Sequence, residues 1–199
     1  MPKPLLLATT NPGKIREIKG ILLGAPVELV TLDSLPELDE PEETCQTFAE
    51  NARLKALYYH QATGLPTVGE DSGLEIDALG GIPGVQSARW EGTDYQVKFR
   101  RIYELLLERG QTGSAAHFVC AVALANEGRI EYEVEGTVEG EIAPEPRGSN
   151  GFGYDPIFLY PPLGRTLAEV TDEVKASLSH RGGAFRALRR HLIGLPTFR

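Results

Sequence analysis

The sequence has little cysteine. Cys45 and Cys120 are its only two, and neither stands in the paired spacing of a zinc ribbon or a redox motif, so two free thiols in a reducing compartment are expected. It has no long apolar run: "MPKPLLLATT" turns polar after a few residues, so neither a signal peptide nor a membrane span is expected, and a soluble cytoplasmic protein is. It has no excess of positive charge. With 20 Lys and Arg against 28 Asp and Glu the formal net charge is -8, a field that repels phosphate polymers and anionic bilayers. No nucleic-acid or membrane partner is therefore expected, although a local basic pocket stays compatible. A GxSxG elbow is absent, and no two of His60, His117, His180 and His191 are four apart as on a zincin helix. His60 and His191 read as exposed helix residues and His117 as a strand residue. There is no internal repeat and no low-complexity segment.

What is present fits one domain. At 199 residues the chain can bury a full core, and a single domain over residues 1–199 is expected. Residues 4–8 are continuously apolar, as in a strand buried on both faces. Asn11 then reads as a helix cap with Pro12 at the first helical position; Ile15, Ile18, Ile21 and Leu22 follow at helical spacing, and Gly24 stops the helix. "VELVTL" (27–32) reads as a second strand, followed by an acidic loop. Thr47 and Glu50 form a capping box for a helix from Phe48 to about Ala62. Around "GEDSG" the apolar pieces Thr67 to Val68 and Leu74 to Ile76 read as strand ends on either side of a sharp turn. "TDYQVKFRRIYELLLERG" is amphipathic through Val97, Ile102, Leu105 and Leu106. "AAHFVCAVALA" and "RIEYEVEGTVEGEI", joined by "NEG", form a hairpin. A loop leads to a short strand "IFL", and the C-terminal stretch reads as one or two helices carried by Phe185, Leu188 and Leu192. Helices alternating with strands, with a hairpin added, imply an α/β class with a mixed sheet flanked by helices.

Four stretches can carry chemistry. In "TTNPGK" a strand runs into a helix start, which offers unpaired N–H groups and the positive end of a dipole to a phosphate. It is not a P-loop, because position 8 is Ala and position 15 is Ile. The residues alone leave Lys14 either an exposed charge or a phosphate contact. "GEDSG" and "PEET" place Glu70, Asp71, Glu42 and Glu43 in two segments whose carboxylates suit a shared Mg²⁺, although solvated turns have the same composition. "NGFGYDP" offers an aromatic face for a planar base, or else core anchors at a turn. In "SHRGG", Ser179 can cap the last helix, and His180 and Arg181 would sit in its first turn, against the dipole. That placement suits a ligand needing donors, or a solvated basic turn.

Taken in order, "TTNPGK", "TFAENARLKA", "EDSGLEIDALGGIPGVQSAR", "GFGYDPIF" and "SHRG" resemble the inosine triphosphate pyrophosphatase family, also called the dITP/XTP or non-standard purine NTP pyrophosphatases, from residue 5 to about 190. The resemblance implies an elongated two-lobed α/β fold with a long mixed sheet and an active-site cleft between the lobes, a homodimer, and a Mg²⁺ requirement. It also implies hydrolysis of ITP, dITP and XTP to the monophosphate and pyrophosphate, clearing them from the nucleotide pool. Carried over by position, Thr9, Thr10, Asn11, Pro12, Gly13 and Lys14 bind the triphosphate. Asp71 is the general base and a metal ligand, Ser72 touches substrate, and the second metal ligand is Glu42, with Glu43 the alternative. Phe152, Gly153, Tyr154, Asp155, Lys175, His180 and Arg181 correspond to the base pocket. There a 6-keto purine would satisfy donors that adenine leaves unpaired, a contrast that can reach roughly 10⁴. Exclusion of guanine, which shares the 6-keto group, must rest on contacts at position 2. Two positions depart from the family pattern: Thr10 stands where many members have Gly or Ser, and Glu70 where Asp is frequent, which could shift the metal. The rival readings are a nucleotide-binding regulatory module without turnover, and a pyrophosphatase of the same fold acting on standard or methylated nucleotides.

Overall fold

The computed structural model of the chain describes residues 2–194. The elements, in order, are β1 (Lys3–Ala8), α1 (Pro12–Ile21), β2 (Val27–Thr31), α2 (Phe48–Thr63), β3 (Thr67–Ile76), α3 (Tyr95–Glu108), β4 (Ala115–Asn126), β5 (Arg129–Ile142), β6 (Phe158–Tyr160), β7 (Arg165–Thr166), α4 (Asp172–Leu178) and α5 (His180–Gly194). The strands form one mixed sheet in the order β2-β1-β3-β4-β5-β6-β7. β1 is parallel to both β2 and β3, whereas β6 is antiparallel to β5 and β7. This is the expected α/β class. Among the described residues no helix is long and apolar enough to cross a membrane.

The chain divides into two compact units. The first holds the residues up to Asp71, Cys120–Gly136 and those from His180 onward; the second holds Ser72–Val119 and Thr137–Ser179. In the first, the apolar run of β1 is buried on both faces as expected. Leu5 and Leu7 pack with Ile18 and Leu22 of α1 and with Phe185, Leu188 and Leu192 of α5. Leu6 and Ala8, on the opposite pleat, pack with Tyr59 of α2. Asn11 caps α1, its side chain accepting from the N–H of Gly13 at 2.9 Å and of Lys14 at 3.1 Å. The Thr47–Glu50 capping box opens α2.

In the second unit Leu74, Ile76, Phe99, Ile102, Leu106, Phe118 and Phe158 form the core. The α3 stripe differs from the expected one. Val97 is exposed, while Phe99 and the side chain of Lys98 are buried. The hairpin turn is tight, with Glu127 and Gly128 both at positive φ (51° and 76°), the conformation a two-residue connection requires.

Four further differences matter. "GEDSG" is the middle of one ten-residue strand, β3, and not a turn. Gly69 is there because α2 lies against it: a Cβ would sit 2.1 Å from the Ala52 carbonyl oxygen and 2.6 Å from the Ala56 nitrogen. The expected strand "IFL" begins one residue later, with Ile157 in a 3₁₀ turn. The C-terminal stretch, expected as one or two helices, is two, broken at Ser179, whose ψ of 158° is extended. His60 is not a free surface residue; it accepts from the Gly128 N–H at Nε2 (2.9 Å), so its Nδ1–H donates to the Leu65 carbonyl (2.6 Å). His191 is half-buried and stacks on Tyr132 at 4.1 Å. Both cysteines are free thiols.

Candidate active site

The β1–β3 register pairs Ala8 with Gly69, so Glu70 and Asp71 fall just past the end of β1, where the chain turns through Thr9–Gly13 into α1. Successive strand residues face opposite ways. Glu70 therefore meets α1 and α5, and Asp71 meets α2. This pair of opposed carboxylates organises the first unit's polar centre.

On one face, Lys14 Nζ lies 2.8 Å from Glu70 Oε2. Arg181 of α5 donates to Glu70 Oε1 from Nε (3.2 Å) and Nη2 (2.9 Å), and its Nη1 donates to Glu17 at 2.7 Å. The Cys120 thiol donates to Glu70 Oε1 at 3.4 Å. Burial works to raise the Glu70 pKa, but Lys14, Arg181 and Lys55 outweigh it and hold the carboxyl well below the ordinary range. Burial, reinforced by Glu70, pushes the Cys120 thiol well up. It is a protonated donor, not a nucleophile.

On the other face, Asn51 Nδ2 donates to Asp71 Oδ2 at 3.0 Å, and Lys55 Nζ lies 3.4 Å from Asp71 Oδ1 and 2.5 Å from Glu43 Oε1. Burial raises the Asp71 pKa; Lys55 and Lys14 pull it down, Glu43 and Glu70 push it up, and the net direction is upward. Lys55 moves up because Asp71 and Glu43 together exceed the opposing effect of burial. Two carboxylates from separate segments thus converge on one cation.

The second unit holds a second cluster. Gly151 and Gly153, at φ 71° and 67°, fold the turn so that the Phe152 N–H donates to Asp155 Oδ2 at 2.7 Å. Lys175 of α4 is ion-paired with the same oxygen and stands 4.7 Å from the Phe152 ring centroid. A Cβ on Gly151 would lie 2.1 Å from Asp155 Oδ2, so only glycine fits. Tyr154 is buried, donates its hydroxyl to the Ser87 carbonyl at 3.0 Å and meets Tyr95 edge-on at 5.1 Å. Burial pushes its phenol far up. Lys98 Nζ donates to the same Ser87 carbonyl (2.9 Å) and to that of Ala88 (2.7 Å). Tyr154 is thus a core anchor that fixes the turn, whereas Phe152 and Gly153 are only half-buried.

Residues 5–191 match the Ham1 family. The chain belongs to that family. A dITP/XTP pyrophosphatase of Nostoc sp. is 50% identical over 190 residues, covering 94% of this chain and 93% of the relative. One from an Exiguobacterium species is 44% identical over 191 residues, covering 95% and 96%. Among solved structures, a HAM1 protein from Coxiella burnetii is 37% identical with a TM-score of 0.87, covering 97% of this chain and all of that one (100%). A nucleoside-triphosphatase / dITP/XTP pyrophosphatase from Mycobacterium abscessus is 42% identical with a TM-score of 0.72, covering 98% and 100%.

Within this Ham1 chain the structure sorts the expected residues. Lys14 and Arg181 share one carboxylate in the first unit, and Lys175, Asp155 and Phe152 cluster in the second. His180 is buried at the start of α5. Asn11 spends its side-chain oxygen on the cap, Thr9 Oγ1 accepts from the Asn11 N–H (3.3 Å), and Thr10 donates to Glu40 (3.3 Å). Gly13 is buried, Pro12 is exposed and Ser72 is half-buried. Glu42 is exposed, whereas Glu43 reaches Lys55. Glu70 takes two cations.

Sequence reasoning passed over Asn51 and Lys55. A signal for them existed. They lie four apart on α2, on the flank of the stripe Phe48, Ala52, Ala56 and Tyr59, and polar residues so close to a buried face require partners.

Proposed function

We propose that the chain hydrolyses non-standard purine nucleoside triphosphates, ITP, dITP and XTP, to the monophosphate and pyrophosphate. Support comes from Ham1 membership and from the dITP/XTP pyrophosphatases it resembles along almost their whole length. The single observation that carries the chemistry is the convergence of Asp71 and Glu43 on the Lys55 ammonium, beside the Lys14–Glu70–Arg181 cluster.

In this reading, Asp71 accepts the proton of the attacking water as the α–β phosphoanhydride breaks and pyrophosphate leaves. Its raised pKa brings it nearer the range useful for a base. Asn51 orients that carboxylate, and Lys14 and Lys55 offset charge on the phosphate oxygens. Asp71 and Glu43 fit Mg²⁺: both offer hard carboxylate oxygens and already converge on a cation. Mg²⁺ takes one or two carboxylates and completes its shell with water and phosphate. Bound there, Mg²⁺ would neutralise developing phosphate charge. Glu43, not Glu42, is the ligand we assign.

For the base, Phe152 supplies an aromatic face, and Lys175 and Asp155, of the same unit, supply a donor and an acceptor for a 6-keto purine edge. Arg181, committed to Glu70 and Glu17, acts by holding Lys14 and Glu70 in place. A homodimer in the cytoplasm remains part of the proposal on family resemblance. The test is a panel of ITP, dITP and XTP against ATP, GTP and dTTP with Mg²⁺. Selective pyrophosphate release from the first three supports the reading. Saturable ITP binding without turnover favours a regulatory module, and equal turnover of ATP, GTP or dTTP favours a broader pyrophosphatase.

A further inference from the structure

The first unit contains a cavity of about 470 Å³, within the size range of small-molecule sites, whose apolar and acidic lining the proposed chemistry does not use. Its floor is apolar: Ile15, Leu32, Leu35, Leu38 and Tyr59 line it. Leu32, Leu35 and Leu38 are half-buried and pack against the Leu6, Ala8 and Tyr59 cluster, so the floor is rooted in the core. The rim is acidic, formed by Asp33, Glu37 and Glu40. Among the described residues that line it, none is basic. Glu40 is held over the cavity by the Thr10 hydroxyl at 3.3 Å and is close enough to raise the Tyr59 pKa, after the larger effect of burial.

An apolar floor under a rim of one sign selects by charge. The rim carboxylates disfavour an anion inside the cavity, and a neutral apolar molecule gains only the floor. A small organic cation with an apolar body gains both. We propose that this cavity is a binding site for such a cation, an aryl- or alkylamine, with its apolar body on Leu32, Leu35, Leu38 and Tyr59 and its ammonium among Asp33, Glu37 and Glu40. Thr9, Thr10 and Pro12 form part of its wall. On the reading of function given above, that wall is also the triphosphate segment, so occupancy and triphosphate affinity would be linked. The binding itself does not rest on that reading.

Calorimetric titration of the nucleotide-free protein separates the terms, using phenethylamine, its neutral analogue phenethyl alcohol, and 3-phenylpropionate. The expected order is amine first, by at least about ten-fold over the alcohol, with no binding of the carboxylate. The double variant Asp33→Asn, Glu40→Gln should lose about ten-fold in amine affinity, because both substitutions keep size and remove charge. Asp39→Asn, an exposed acid outside the lining, should leave amine affinity unchanged. Absence of saturable amine binding at millimolar concentration overturns the proposal. So does equal binding of amine and alcohol, unchanged affinity in the double variant, or an equal loss in Asp39→Asn. Activity is not measured, so failure of the pyrophosphatase reading would leave this result intact.

Discussion

Glu70 and Asp71 stand side by side in β3 and serve opposite faces of the sheet: Glu70 receives Lys14 at 2.8 Å, and Asp71 receives Asn51 at 3.0 Å. Strand alternation divides the labour between them. The more heavily paired Glu70 is held ionised, while the pKa of Asp71 shifts the other way, which is the property the proposed function uses in a base.

Asp71→Asn keeps the side chain's shape and its contact with Asn51 but removes the base. The fold should persist, by unchanged far-UV circular dichroism, and kcat should fall on the order of 10²–10⁴-fold. A kcat near that of the wild type would contradict the assignment.

Glu70→Gln leaves Lys14 and Arg181 without their shared counter-charge and should cost about 3–5 kcal/mol by denaturant titration. The pH dependence has a definite sign. Glu70 is held well below its ordinary 4.5, so as pH falls the unfolded chain takes up this proton before the native one does. Its stabilisation is therefore fully present above about pH 4.5 and is lost below. The stability gap between wild type and variant should be widest at neutral pH and narrow in acid; a gap that widens in acid would refute the pairing.

Gly69→Ala forces a methyl group into the α2 backbone, 2.1 Å from the Ala52 carbonyl oxygen. Because backbone must yield, we expect a loss of about 1–3 kcal/mol or more in stability, accompanied by lower activity as Asn51 and Lys55 shift with α2. Unchanged thermal stability would show that α2 is not seated on β3 as described.

Lys175→Met removes the partner of a buried carboxylate, Asp155. Alone it should destabilise by about 3–5 kcal/mol. Combined with Asp155→Asn it should cost less than the sum of the two single changes, and the double-mutant cycle measures the coupling. Strict additivity would mean that the pair does not interact.

Much of the fold was legible because local signals agreed with tertiary ones. The apolar run of β1, the Asn11–Pro12 start of α1, the Thr47–Glu50 box and the hairpin are fixed by residues within a turn of one another. The centre of β3 was not, because Gly69, Glu70, Asp71, Ser72 and Gly73 have the composition of a turn. They become strand through partners far away in sequence: α2 against Gly69, Lys14 and Arg181 on Glu70, and Asn51 on Asp71. Phe99 replaces Val97 in the α3 stripe for a related reason. The neighbouring Lys98 is buried by two carbonyls and the Tyr95 ring, 4.5 Å from its centroid, and no periodicity rule places a lysine inside. The ion pair of Glu43 with Lys55, on which the proposed metal ligand rests, is likewise a contact between two segments.

The central claim is cleavage between the α- and β-phosphates of a non-standard purine triphosphate. ³¹P NMR of ITP incubated with the purified protein and Mg²⁺ tests it most directly. The account predicts inosine monophosphate and pyrophosphate as the only products, absent with Asp71→Asn; inosine diphosphate with orthophosphate, or unchanged ITP, would contradict it.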